Sequence, residues 1–324
     1  VTAPLTSGRR PTAGRRLTSG RRGAWLALGG AIAVGSVAFT QIKLVLEQVS
    51  PLALAAGRVG FSALAFALVV TLQPWRRTPV ARQDRLAVLA CGLGGSAGFH
   101  LLYTWGQQRV SVAVGAIVLG CMPVVVGGLE VVFLRHRLTA VQVGGLVLSV
   151  LGVTLMSLDG SGGAGDGGPL VRDAAWFAGF AAVAGATVVW SAVSVTTRSL
   201  ADRYDQWWLN TPGTLVGALV MGLLVLGTHR WPEYGDLSAS GWVQVAWLGA
   251  VGSAFLYAAL ARAMQHLHAT TTASVSTLVT PLGVVVAWLV LGERPAWPVV
   301  AGGAVVLVGA YLVTARPTVV RTEP

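Results

Sequence analysis

The chain has 324 residues, 54% of them hydrophobic and only 11% charged, with a mean hydropathy of +0.69. So few charged side chains cannot cover a soluble globule of this size, and the composition reads as an integral membrane protein. The net charge of +11 would suggest nucleic acid in a soluble chain, but the basic residues lie almost wholly between apolar runs, where a cytoplasmic membrane face uses them, so no nucleic acid is expected.

In chain order, residues 1–23 form a basic, low-complexity arm in which Thr6 to Arg10, Thr12 to Arg16 and Thr18 to Arg22 repeat the pattern Thr-Ser/Ala-Gly-Arg-Arg. Such a segment has nothing to bury and is expected to be disordered, a positive flank that fixes orientation or meets anionic headgroups. The apolar run after it continues to about Leu46, too long for a cleaved signal core. Ten apolar spans then follow, at roughly 24–46, 51–72, 86–105, 112–134, 141–158, 174–195, 209–226, 241–260, 270–291 and 296–314. Helices are the expected spanning form, because lipid offers backbone groups no partners and the runs lack the alternation of barrel strands. Cys91 and Cys121 both fall inside apolar runs and are expected to be packing residues.

An internal echo organises these spans. In the run from Thr272 to Tyr311, the turn Gly292-Glu293-Arg294-Pro295 separates two apolar stretches, the second carrying Gly302 and Gly309. The pattern recurs 157 positions upstream, with His136 in the place of Glu293, Gly145 in that of Gly302 and Gly152 in that of Gly309, and Pro123 one position out of step with Pro281. The expected organisation is a first five-helix repeat over 24–158, a Gly-rich linker over 159–173, a second repeat over 174–315 and a tail over 316–324.

Placing the N-terminus in the cytoplasm puts 17 of the arginines outside the spans on the inner side and four (Arg109, Arg172, Arg230, Arg294) on the outer side. A multi-pass protein of the cell's inner (cytoplasmic) membrane with both termini cytoplasmic is therefore expected. An odd number of spans per repeat then inverts the second half. The expected fold class is an all-α integral membrane protein of ten transmembrane helices arranged as two inverted five-helix repeats, an architecture used by secondary transporters with the substrate near mid-membrane.

Intramembrane ionisable groups are the first functional candidates, since a charge at mid-membrane costs about 2.5–3.5 kcal/mol on insertion scales. Lys43, the only lysine, lies near the outer end of the first span, and Arg58 lies seven residues into the second. Together they are expected to hold a carboxylate or other anionic group. The competing reading pairs Lys43 with Glu47 and lets Arg58 bond backbone carbonyls or snorkel outward. Glu130, one turn inside the fourth span, is the candidate proton carrier, or else meets Arg135 or Arg137 at the membrane edge. Gln41, His100, Tyr103, Trp190, Asn210 and Tyr257 are expected cavity-lining residues, whereas Trp105 and Trp288 near span ends read as interface anchors. No phosphate-binding glycine loop, metal cluster or nucleophile–base pair occurs in the sequence.

The run Leu278 to Leu312 with Pro281, Leu291 to Arg294, Gly302 and Gly309, and the opening Gln41-Ile42-Lys43, Pro51, Ala55-Ala56-Gly57-Arg58, resemble the EamA-type transporters of the drug/metabolite transporter superfamily. The match spans roughly 24–315, with His136-Arg137 where Glu-Arg is usual at the first repeat's turn. The resemblance implies ten helices in two inverted repeats and export of small metabolites or drugs. The expected function is a secondary transporter exporting an amino acid, organic acid or drug-like compound by alternating access. An intramembrane enzyme acting on a lipid or isoprenoid and a non-transporting subunit are the competing classes. No cofactor is called for; the expected partners are a small-molecule substrate and the lipid bilayer, with a homodimer left open.

Overall fold

A computed structural model of the chain describes residues 13–73, 80–134, 139–158, 173–200, 203–266 and 276–314. Among them every regular element is helical: α1 (Ala13–Leu46), α2 (Pro51–Leu72), α3 (Arg85–Leu93), α4 (Phe99–Gln107), α5 (Val112–Gly120), α6 (Met122–Leu134), α7 (Ala140–Leu158), α8 (Ala174–Leu200), α9 (Gln206–Gly227), α10 (Glu233–Asp236), α11 (Ala239–Gly249), α12 (Leu256–His266), α13 (Val279–Leu291) and α14 (Trp297–Thr314). Wide π turns at Gly94–Gly98 and Ala250–Phe255 join α3 to α4 and α11 to α12.

Local chemistry sets the helix ends. Ser50, Ser111, Asp205 and Ser238 each turn a side-chain oxygen onto a backbone N–H of the following first turn, satisfying donors that a helix start leaves open. Gly292, at φ +71, closes α13 in the left-handed conformation that a side chain disfavours. Seven helical stretches among the described residues are long and apolar enough to cross a membrane, and three shorter apolar helices (Ala140–Leu155, Val279–Leu291, Trp297–Val313) accompany them. Leucines and valines point outward along whole faces, such as Leu64, Leu68 and Leu72 on α2 and Leu215, Leu219 and Leu223 on α9. Apolar surface on that scale fits lipid, not water, and the chain is a multi-pass membrane protein.

The echo in the sequence becomes a set of helix crossings. A Cβ at Gly145 would lie 2.6 Å from the Gly309 carbonyl oxygen, and one at Gly152 the same 2.6 Å from that of Gly302, so α7 and α14 touch backbone to backbone. Exchanging the members of the echo carries the first contact into the second. Other contacts obey the same exchange: α1 packs on α12 and α13 as α8 packs on α4 and α6, while α2 meets α9 directly. α3 crosses α9 where Gly92 faces Gly213, and α2 crosses α11 where Gly249 faces the Arg58 carbonyl.

Several boundaries differ from expectation. Helix α1 starts at Ala13, so residues 13–23 of the arm expected to be disordered are helical; extending a formed helix costs far less than nucleating one. The third and eighth spans are each widened by a π turn, and the fourth is interrupted at Cys121 between α5 and α6. Residues 1–12, most of the Gly-rich linker, His136, the 270–275 part of the ninth span and the C-terminal tail lie outside the described residues.

Candidate functional site

The cleft between the repeats begins with glycine. Gly-Gly-Ser-Ala-Gly at 94–98 has little side-chain bulk to hold a regular helix against α9, and the π turn there lets α3 and α9 meet at Gly92 and Gly213. A π turn displaces backbone N–H groups from their usual carbonyls. The Ser96 hydroxyl donates to the Gly92 carbonyl, and the Ser253 hydroxyl to that of Leu248 at 3.3 Å in the second turn. Ser96 and Ser253 are 157 residues apart, the spacing of the glycine echo. Both line one cleft, with Ser62, His100, Asn210 and Thr214 as its other polar walls. The cleft contains about 380 Å³ of non-atom space, its open side included.

Beside this cleft lies a buried polar cluster. Arg58 is 5% exposed, so its guanidinium does not snorkel to a membrane surface. Its Nε and Nη1 find no hydrogen-bond partner, and neither do His100 Nδ1 and the Tyr103 hydroxyl. Arg58 acts electrostatically on both of these neighbours. Aromatic rings enclose the group: Phe99 stacks on Tyr103 at 5.7 Å, tilts against Trp190 at 4.7 Å and lies edge-on to His100 at 5.1 Å, and Phe39 approaches Tyr103 at 6.3 Å.

Lys43 joins a different set of groups. Its ammonium donates to the carbonyls of Gln107 (3.2 Å) and Val110 (3.1 Å), a cation placed at the negative end of α4. Glu293, and more weakly Glu47, supply its opposite charge. Glu293 is itself buried, and its Oε2 accepts the Val112 N–H at 3.0 Å, capping α5. Burial raises the Glu293 pKa above the ordinary carboxylate value, with the Val112 hydrogen bond and Lys43 pulling the other way. The residue thus reaches across to α5, where the sequence suggested a local turn beside Arg294.

Of the other expected site residues, Asn210 lines the cleft and Trp190 touches Phe99, while Gln41 keeps a buried Oε1 without a partner on α1. Helices α6 and α12 carry Glu130 and Tyr257, whose side chains lie outside the description. Trp105 and Trp288 are exposed, and Arg109 stacks on Trp105 at 3.7 Å, as suits anchors at a membrane edge.

Both ends of the cleft are fastened by contacts from one repeat to the other. At one end the Glu233 Oε2 accepts the Ser50 N–H at 2.8 Å and Oε1 pairs with Arg230 at 2.9 Å. There too Gln48 Oε1 accepts from the Ser238 N–H and hydroxyl at 3.2 and 2.7 Å, and the Tyr234 hydroxyl donates to the Ala53 carbonyl at 2.9 Å. Partial burial pushes the Glu233 pKa up, but the Ser50 hydrogen bonds and Arg230 outweigh it and hold the carboxyl below its ordinary value. At the other end Asp84 Oδ2 accepts from Arg203 at 2.8 Å and from the Tyr204 hydroxyl at 2.7 Å, while that hydroxyl accepts the Ala81 N–H at 3.1 Å. In each case the connection between the second and third spans of one repeat grips the connection between the first and second spans of the other.

Sequence reasoning missed these clasps and the serines at the π turns. The spacing of Ser96 and Ser253 was a readable signal, being that of the glycines. Asp84, Tyr204 and Glu233 carried none, because polar residues between spans look alike until the connections are seen to meet.

Comparison with known proteins gives the arrangement its context. A profile of the EamA-like transporter family matches twice, over residues 21–158 and 177–315, one match per repeat. An uncharacterized transporter of Archaeoglobus fulgidus is 26% identical over 296 residues, covering 90% of this chain and 99% of that protein. A probable terminal-alkyne amino-acid exporter of Streptantibioticus cattleyicolor is 25% identical over 280 residues, covering 86% of this chain and 89% of that one. A solved crystal structure shares the fold, with a TM-score of 0.60 at 20% identity over 91% of this chain and 97% of its own. These likenesses indicate a transporter and not an enzyme, and with both of its repeats matched the chain belongs to the EamA-like transporter family.

Proposed function

We propose that the chain is a secondary transporter that exports a small metabolite (an amino acid, an organic acid or a drug-like compound) across the cytoplasmic membrane by alternating access. In this reading ten spans form two inverted five-helix repeats, both termini are cytoplasmic, and the Asp84 end faces the cytoplasm. Arg58, His100, Tyr103, Trp190 and Asn210 face the substrate, Lys43 closes the outer end, and Glu130 is retained as a candidate for proton coupling.

One observation carries the reading: a polar cleft lies between the repeats, and at each end a connection of one repeat grips a connection of the other. Releasing one clasp while the other holds would open the cleft to one side at a time, the motion that alternating access requires. The 157-residue echo, brought into register at Gly145–Gly309 and Gly152–Gly302, supports inversion, since the two contacts interchange when the repeats do. A relative named as an amino-acid exporter supports the substrate range and the direction.

The test is counterflow in proteoliposomes made with the full chain. Labelled amino acids, organic acids and cationic drugs are offered to vesicles preloaded with the same unlabelled compound. Accumulation of at least one label above protein-free vesicles is expected, and its absence across the panel contradicts the reading.

A further inference from the structure

Arg58 presents a physical problem that the fold alone does not solve. A buried charge in a membrane protein normally pairs with an opposite charge or with backbone carbonyls. Arg58 sits about 10 Å below the start of α2 at 1.5 Å per residue, is 5% exposed, and leaves Nε and Nη1 without acceptors. No carboxylate among the described residues acts on it; its electrostatic neighbour is Tyr103. Of the carboxylates near this end, Glu293 is engaged with Val112 and Lys43, and Glu233 with Ser50 and Arg230.

The surroundings add more unfilled valences of the matching kind. The Tyr103 hydroxyl is 1% exposed as a residue and without a partner, and so is the Nδ1 of His100, a residue that also lines the cleft. A guanidinium, a phenol and an imidazole converge there, and the first two carry N–H or O–H donors whichever imidazole nitrogen bears the proton. Around them Phe39, Phe99 and Trp190 offer ring surface and no charge. The repeat partner of Arg58 is of no help in symmetry terms: positions 213–215 on α9 are Gly213, Thr214 and Leu215. An unpaired cation present in only one of two equivalent places answers to a ligand, because packing needs are shared by both repeats.

We propose that Arg58 and Tyr103, with His100 beside them, bind the carboxylate of an amphipathic organic acid or amino acid, whose apolar part lies against Phe99 and Trp190. This deepens the transporter reading by naming its substrate class and rests on it. Lys43, satisfied by Gln107, Val110 and Glu293, takes no part in the site.

The probes are 3-phenylpropionate, its neutral counterpart 3-phenylpropanol and the cation phenethylamine, which share one ring and differ in the polar end. Binding to full-length protein in nanodiscs is read by equilibrium dialysis and by the shift in melting temperature. The carboxylate binds tighter than the alcohol and the amine by on the order of tenfold or more, as a hydrogen bond to a charged group implies. Arg58→Met removes that preference and raises the melting temperature of the ligand-free protein, because an unpaired buried charge is gone. A structural arginine would do the reverse, lowering the melting temperature and leaving the preference among probes unchanged, and that result overturns the proposal.

If Arg58→Met does not fold, Tyr103→Phe keeps the ring and removes the hydroxyl, and it weakens the carboxylate alone; equal weakening of all three probes counts against the site. Anionic lipid is the other source of a fitting anion. Nanodiscs of phosphatidylglycerol and of phosphatidylcholine separate the two: the same carboxylate preference in both supports a substrate site, and occupancy lost only in phosphatidylglycerol overturns it in favour of a headgroup. Counterflow that favours the amine or the alcohol overturns the carboxylate site and leaves transport standing, while absent counterflow with intact carboxylate binding does the opposite.

Discussion

The two ends of the cleft are built on one plan and fastened unequally. At the Glu233 end three pairs hold the repeats together (Glu233 with Ser50, Gln48 with Ser238, Tyr234 with Ala53), and Lys43 and Glu293 tie α4, α5 and the α13–α14 turn nearby. At the Asp84 end, among the described residues, the contacts converge on one carboxylate and the Tyr204 hydroxyl. Hydrogen bonds spread over separate connections must be broken together, whereas a node is lost with one residue. In the orientation proposed above, the node faces the cytoplasm, where an exporter loads. The inequality is a reason for the cleft to open inward first.

Breaking the node is expected to have the largest effect. Asp84→Ala removes the acceptor of two hydrogen bonds, one from half-exposed Arg203, a loss of about 1–3 kcal/mol after allowing for that exposure. Cys91, half-buried in the cleft wall, is a native reporter. In a Cys121→Ala background, maleimide labelling of Cys91 is expected to quicken by on the order of tenfold. An unchanged rate would mean that the clasp does not control access.

A smaller effect is expected from Glu293→Ala, which uncaps α5 and removes the main opposite charge acting on Lys43. A lost cap costs about 1 kcal/mol, so the melting temperature falls by a few degrees while Cys91 labelling stays within about threefold of the parent. Glu233→Gln is expected to matter less again, because Gln48–Ser238 and Tyr234–Ala53 remain. If it speeds labelling as much as Asp84→Ala does, the two ends are equal and the comparison fails.

The mildest probe is pH. Glu233 is held below its ordinary pKa of 4.5, so its contribution is present above that value and is lost as pH falls through the lower, folded value. Glu293 is held above 4.5, so its ionisation disfavours the fold, and that penalty disappears as pH falls through the raised value. Acidification from pH 7 is therefore expected first to stabilise slightly and then to destabilise. Glu293→Gln abolishes the first phase and Glu233→Gln the second, as read by melting temperature; matching profiles for both variants would contradict the assignment.

Much of the frame was legible in the sequence. Apolar runs located the helices because lipid enforces them, and the glycine echo marked crossings because only glycine lets α7 and α14 touch at the backbone. Arg58 and Tyr103 were legible as candidates, since buried polarity in a membrane span is costly. What could not be read was partnership. Lys43 and Arg58 lie close in sequence and on facing spans, yet helix-end carbonyls and Glu293 take up the lysine, and nothing in a linear pattern tells which carbonyls a chain end presents. The clasps were hidden for the same reason, being products of where connections meet after the spans have packed.

The central claim is that the cleft opens to one side at a time by release of its clasps. It is tested most directly by locking one of them. Asp84→Cys with Tyr204→Cys, in a chain carrying Cys91→Ala and Cys121→Ala, is bridged by a thiol cross-linker that a reductant cleaves, and counterflow of a substrate accepted by the parent is measured before and after cleavage. The account predicts that flux is lost when the end is bridged and returns when the bridge is cut. Flux that continues through the bridged protein would contradict it.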